Sequence, residues 1–285
     1  MHSSFDDIVF AIILVFPIVI FYAILQKHWL DKDLRKAFWN GIIAGCFSIF
    51  LVRVIYVPIE LYLGGEIRAF ISAPREWYIT LIACIGIIGF VEEGFKTLGA
   101  HIVCCLNREG GFRPTFVFIS FAGCALSFSF LENIQYYIVY GASVVLPRVL
   151  VSSLAHLSFA CICSYFSSSA FLLIKSPVKT AFLLNIGILS ASFLHGLFDY
   201  LLFKYSIMVI SGIILAMLSF ALFIMYEIWI QALKKDIPPM GFLAVCSSCR
   251  ALTVDRIRFC PFCGKRVRKI DTLPTIIKKS DTDGN

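Results

Sequence analysis

Seven runs of mainly apolar residues follow one another between residues 8 and 233, each close to the length a helix needs to cross a bilayer, about 20 residues. They cover 8–25, 38–63, 77–106, 116–140, 149–174, 180–203 and 207–233. This pattern leaves few folds open, because a backbone inside lipid must satisfy its own hydrogen bonds, and a helix does so within one segment. Composition agrees: 59% of the residues are hydrophobic and 15% charged. Soluble globular chains run nearer to about 45–50% and about 25%. The expected fold is an all-α polytopic membrane protein with seven or so transmembrane helices, followed by a small C-terminal zinc ribbon. Asp6 and Asp7, rather than lysines, lead into the first run, and no small-residue cleavage site follows it. It therefore reads as a retained helix and not as a secretion signal.

Turn and breaker signals separate the runs: Gly64-Gly65, Pro74, Gly110-Gly111 with Pro114, Pro147 and Pro177. The third run is long and holds three charges, which invites a break or tilt within it. Lys27, Lys32, Arg35 and Lys36 lie in the first loop, Arg108 and Arg113 in the third, and Lys175 and Lys179 in the fifth. The intervening loops hold Arg68, Arg75, Arg148 and Lys204. The positive-inside rule then puts the N-terminus outside and the C-terminal tail in the cytoplasm, with the cell membrane as the expected location. Much of the net charge of +7 lies after Lys234, beside the bilayer, where it suits anionic headgroups; no nucleic-acid partner is expected. Residues 1–236 read as the helical bundle, 237–245 (with Pro238-Pro239) as a linker, 246–264 as the ribbon, and 265–285 as a basic flexible tail.

Eleven cysteines divide between these parts. Cys46, Cys84, Cys104, Cys105, Cys124, Cys161 and Cys163 fall on apolar runs and read as small packing residues. In the tail, Cys246-Ser-Ser-Cys249 and Cys260-Pro-Phe-Cys263 form two CxxC pairs ten residues apart. Four thiolates so spaced can close a tetrahedral structural zinc site with no open position, and Gly264 suits the tight turn of such a knuckle. A closed site points to a structural or docking module, with a cytoplasmic partner, rather than to catalysis.

Against this apolar background, ionisable groups stand out. Each costs roughly 2.5–3.5 kcal/mol at bilayer depth on insertion scales and so seldom persists without a task. Glu92-Glu93-Gly-Phe-Lys96 places Glu92 and Lys96 on one helix face, acid before base, where Lys96 can balance two carboxylates. Phe128 to Glu132, followed by Asn133, puts a carboxylate in the fourth run. Arg148 opens the fifth run and His156 follows two turns later among serines. His195-Gly-Leu-Phe-Asp199 has the i,i+4 spacing at which Asp199 could accept from one imidazole nitrogen and free the other for a metal, water or substrate. Structural ion pairs and satisfied core histidines are the plainer reading of each motif taken alone. Counting residues at ~1.5 Å each puts Glu132, His156 and His195 ~12 Å below the outer face, and the paired glutamates nearer the midplane. One shared cavity in the outer half would unite them. Arg53 and Glu60, seven apart, read either as a pair or as cavity lining.

The ordered set EExxK (Glu92, Glu93, Lys96), FxxxE (Phe128, Glu132) and HxxxD (His195, Asp199), with Arg148 and His156 between, resembles the PrsW family of membrane proteases. The resemblance covers roughly residues 77–203 and extends, more distantly, to the CAAX prenyl endopeptidases. Those usually carry a histidine where this chain has Glu132. It implies a membrane-embedded endopeptidase that acts on a membrane-anchored protein substrate within the lipid bilayer. Glu92 or Glu93 would activate water, His156 and His195 would polarise the carbonyl, and Asp199 would orient His195, with Glu132 sharing the catalytic work. Lys96, Phe128, Asn133 and Arg148 would support them. Whether a catalytic metal is held among these residues stays open at this stage, since HExxH is absent. The competing classes are a scaffold or sensor that recruits a partner through Cys246, Cys249, Cys260 and Cys263, and a proton-coupled transporter.

Overall fold

The computed structural model describes residues 4–28, 32–73, 76–106, 114–172, 177–204, 243–245 and 252–254. The chain divides into two compact units, Met1–Leu233 and Lys234–Asn285. In the first unit the helices are α1 (Ser4–His28), α2 (Lys32–Leu63), α3 (Ile67–Ser72), α4 (Trp77–Ala83), α5 (Phe90–Leu106), α6 (Pro114–Tyr140), α7 (Val145–Leu172) and α8 (Pro177–Lys204). A π-helical segment, Cys84–Gly89, joins α4 to α5, and a short 3₁₀ turn, Ala142–Val144, leads into α7.

Among the described residues, five helices are long and apolar enough to cross a membrane: Lys32–Leu63, Trp77–Leu106, Pro114–Tyr140, Arg148–Ala170 and Pro177–Lys204. The third of the expected runs therefore persists as one span, but its interior is π-helical rather than broken. In α1 the apolar stretch is Val9–Ala23, shorter than those five. The expected span 207–233 and the four tail cysteines lie outside the described residues. Large apolar side chains point outward along α2 (Ile43, Phe47, Phe50, Val54), α5 (Leu98, Ile102) and α8 (Phe182, Leu189, Phe193). In lipid these faces meet a solvent as apolar as themselves. The protein is an integral membrane protein.

Helix α6 is the centre of the bundle, with every residue from Pro114 to Ser129 buried. Its neighbours approach through small residues, which suits membrane helices that gain little from burying apolar surface and much from close contact. A Cβ on Gly41 of α2 would lie 2.4 Å from the Ser120 carbonyl oxygen, and one on Gly123 of α6 would lie 2.5 Å from that of Phe38. A second backbone-to-backbone seam joins the π segment to α8. There a Cβ on Gly89 would come within 2.3 Å of the Ser192 oxygen, and one on Gly196 within 2.4 Å of the Ile85 Cα. This seam brings the start of α5 against the middle of α8.

In the second unit, β1 (Leu243–Val245) and β2 (Leu252–Val254) pair antiparallel, with Leu243 opposite Val254 and Val245 opposite Leu252. The two strands flank Cys246-Ser-Ser-Cys249 in sequence, and β1 falls within the stretch expected to be linker.

Candidate active site

Four helices contribute ionisable side chains to one cluster, buried except for Glu132 and Asp199, which are partly exposed. Glu92, Glu93 and Lys96 come from α5, Glu132 from α6, His156 from α7, and His195 and Asp199 from α8. The π-helical segment lies one turn before the paired glutamates, a place where such segments often accompany functional sites. The Lys96 ammonium donates to Glu93 Oε1 at 2.5 Å and to His156 Nδ1 at 2.9 Å. His195 Nδ1 lies 2.8 Å from the same Glu93 oxygen, and His156 Nε2 lies 2.9 Å from Glu132 Oε2. Arg148 reaches the other Glu132 oxygen at 2.9 Å.

These contacts fix the histidine tautomers. An ammonium has only donors, so His156 Nδ1 accepts and its proton sits on Nε2, donated to Glu132. A carboxylate only accepts, so His195 donates from Nδ1 to Glu93. His195 Nε2 is then left facing Asp199 Oδ2 at 3.6 Å and Glu92 Oε2 at 3.8 Å. Glu93 and Glu132 are each held by two cationic or imidazole donors. Glu92 is held more lightly. The Tyr56 hydroxyl donates to its Oε1 at 3.2 Å, while its Oε2 is buried without a hydrogen-bond partner among the described residues.

The supporting residues named from sequence each find a physical part. The Phe128 ring lies 4.7 Å below the Lys96 ammonium, a cation–π contact, and stands 5.7 Å from the His156 ring. Asn133 accepts from Arg148 Nε at 3.3 Å and donates to Ser153 at 3.4 Å. Arg148 also lies over the Tyr136 ring and donates to Ser152 at 3.4 Å, so it is tied to the cluster rather than left at the headgroups. A cavity of about 250 Å³ reaches the cluster. Glu92, Glu132, Asp199, Tyr56 and Phe128 line it, together with Arg53 and Glu60 farther out. His156 and His195 are not in that lining; they stand beside Glu132 and Glu92.

Several expected pairings come out differently. Lys96 pairs with Glu93 at i,i+3 rather than with Glu92 at i,i+4. Its chain extends between α6 and α7, and Glu93 is the glutamate facing that way. Asp199 is not the close partner of the His195 imidazole, because the glycine seam brings Glu93 nearer than one turn of α8 brings Asp199. The paired glutamates and the α8 groups meet in one cluster, as a shared cavity requires, with Glu93 and His195 in direct contact. Arg53 hydrogen-bonds Gln135 of α6, and Glu60 Oε1 accepts from the Ile67 backbone amide at 3.4 Å, so both line the cavity without pairing with each other. Tyr56 was missed altogether. Nothing around it in α2 sets it apart from the lipid-facing aromatics of the same helix.

The profile of a family described as "PrsW family intramembrane metalloprotease" matches residues 32–227, more than half of the chain. The chain belongs to the PrsW family. A similar curated protein, Protease PrsW of Shouchella clausii (strain KSM-K16), is 28% identical over 147 residues, which is 52% of this chain. The match spans 63% of that relative's length. No solved structure matches. The PrsW match begins at α2 and so takes in Tyr56, which lies ahead of the 77–203 core read from the motifs.

A metalloprotease description raises the question of whether these residues suit a metal. Glu92, His156 and His195, all buried, offer ligand atoms within 4.8 Å of one another. The partnerless Glu92 Oε2 is the kind of buried polar atom that a cation would satisfy, and imidazole with carboxylate is a common donor set for zinc. The residues fit.

Proposed function

We propose that this PrsW-family protein is a membrane-embedded endopeptidase that hydrolyses a peptide bond in or near the membrane segment of a membrane-anchored protein. The observation that carries the reading is the convergence of Glu92, Glu93, Glu132, His156, His195 and Asp199 from four helices at the end of one cavity. A single buried ion pair would serve to glue helices. Six groups that leave one buried carboxylate oxygen without a partner among the described residues, on a glutamate that lines a cavity, suit acid–base work.

The division of labour follows from which groups are already engaged. Glu93 accepts from Lys96 and His195 and acts to orient the His195 ring. Glu132 is bound by Arg148 and His156 and holds the His156 proton on Nε2. Glu92, with Oε2 free, takes the proton from water as it attacks and returns it to the leaving amine. His195, protonated on both nitrogens, donates from Nε2 to the negative charge that develops on the scissile carbonyl oxygen, while His156, engaged by Lys96 and Glu132, supports the cluster, and Asp199 lines the cavity beside His195 Nε2. A divalent ion, held by Glu92, His156 and His195, would supply Lewis-acid polarisation of the carbonyl or water when bound. With the ion in place, Glu92 would serve as one of its ligands, and a neighbouring carboxylate of the cluster would take the water proton.

The test is cleavage of candidate membrane-anchored reporters by purified protein in liposomes. Glu92→Ala, Glu93→Ala and His195→Ala should each lose cleavage while remaining folded. Cleavage that persists in all three would sink the assigned site. Proton-coupled flux without cleavage would favour transport instead.

We further propose that Cys246, Cys249, Cys260 and Cys263 hold a structural zinc ion in a C-terminal ribbon that offers a docking surface to a cytoplasmic partner. The strand pair flanking the first CxxC supports it. Loop charge supports placing the N-terminus outside and the ribbon in the cytoplasm of a cell membrane.

A further inference from the structure

The contact between Tyr56 and Glu92 crosses from α2, outside the motif-bearing helices, to the carboxylate with the least other support. Tyr56 is buried, and its hydroxyl is the hydrogen-bond donor to Glu92 among the described residues. Its position is not left to chance. Ser48, Val52 and Tyr56 recur at four-residue intervals on one face of α2, and all are buried. Ser48 Oγ shares its one proton between the Ala44 carbonyl of its own helix at 2.9 Å and the Phe95 carbonyl of α5 at 3.0 Å, and a Cβ on Gly99 would lie 2.7 Å from that same Ser48 oxygen. Helix α2 is thus fastened to α5 two turns from Tyr56, and Phe95 is one turn from Glu92 on the α5 side. The two fastenings run along a single seam.

We infer that Tyr56 is a positioning residue for the active carboxylate: its hydroxyl holds Glu92 by Oε1, so that Oε2 stays turned toward His195 Nε2. The inference rests on the reading of Glu92 as the working glutamate. A tyrosine used only to fill space would serve equally well as phenylalanine, since the ring is the part that packs. A tyrosine that orients the carboxylate would not. Outer partners of this kind typically change affinity or activity by about 10–100-fold when removed. The same role holds whether Oε2 meets a proton or a cation.

The deciding experiment is infrared difference spectroscopy of the full chain in liposomes, comparing Tyr56→Phe with the parent, once as such and once with Glu92→Gln in both. The expected result is a carboxyl or carboxylate band that shifts in Tyr56→Phe and is absent from the Glu92→Gln pair. Cleavage of a membrane-anchored reporter should fall about 10–100-fold in kcat with little change in KM, and thermal unfolding should stay close to the parent's. Superimposable spectra, or an unchanged kcat, would overturn the proposal. Should Tyr56→Phe not fold, the tyrosine C–O stretch compared between parent and Glu92→Gln reads the contact from the other side, and an unmoved band overturns it equally. If Glu92→Gln cleaves as well as the parent, the assignment of Glu92 as the working glutamate fails, while the spectra still decide whether Tyr56 holds the carboxylate.

Discussion

Replacing Gly196 by alanine tests the geometry without touching any ionisable group. The added Cβ would lie 2.4 Å from Ile85 Cα, 2.5 Å from Ile85 N and 2.7 Å from Cys84 C. All three are backbone atoms of the π segment, so no side-chain rotation relieves the clash. Ordinary contact begins near 3.4 Å, and the π segment and α8 must separate by an amount on the order of 1 Å. That displacement acts on the 2.8 Å contact between His195 Nδ1 and Glu93 Oε1, one residue from the substitution. A hydrogen bond stretched by ~1 Å is lost. Overpacking of this kind costs about 1–3 kcal/mol of stability, and a 1 Å misplacement at a reacting centre costs about a hundredfold in rate. The assay is reporter cleavage and thermal unfolding of Gly196→Ala beside Gly86→Ala, whose added Cβ would meet nothing within 4 Å. Gly196→Ala should lose about two orders of magnitude in kcat with a modest drop in Tm, and Gly86→Ala should match the parent or unfold slightly later. Equal activity in the two variants would refute the claim that the seam aligns the site.

Other perturbations separate the roles of neighbouring groups. Lys96→Met leaves the Glu93 carboxylate buried with one cation fewer and should destabilise by about 3–5 kcal/mol, read as a fall in Tm, besides abolishing cleavage. Arg148→Gln should impair folding and activity through Glu132, and the double variant Arg148→Gln/Glu132→Gln should recover part of the lost Tm because no unpaired charge remains. Metal counting on the full chain with Cys246, Cys249, Cys260 and Cys263 replaced by serine should find one remaining divalent ion per chain, lost in the Glu92→Gln, His156→Ala and His195→Ala variants. Zinc found only with the tail cysteines intact would assign catalysis to the glutamate alone.

The sequence carries the five described spans and the ionisable groups of the cluster openly, because both are set by composition and local spacing. Long apolar runs have one backbone solution in lipid, and an ionisable residue within such a run announces itself by its cost. Partner choice is less legible. Lys96 is within reach of both Glu92 and Glu93 at helical spacing, and only the placement of α6 and α7 decides for Glu93. Likewise, the HxxxD spacing suggests that Asp199 orients His195, yet the glycine-lined approach of α8 to the π segment gives that place to Glu93. The π segment itself has no clear signature in Cys84-Ile-Gly-Ile-Ile-Gly89. Tyr56 was hidden for the same reason, since its role depends on a helix pairing set by Ser48 and Gly99 rather than on any motif of its own.

The most direct test of the account is hydrolysis in water enriched in heavy oxygen, with the full chain and a membrane-anchored reporter in liposomes and the products read by mass spectrometry. The account predicts two fragments, with one heavy oxygen in the new carboxyl terminus, formed by the parent and not by Glu92→Gln. Intact reporter with the parent across a broad set of membrane-anchored sequences, or labelled fragments formed equally well by Glu92→Gln, would contradict it.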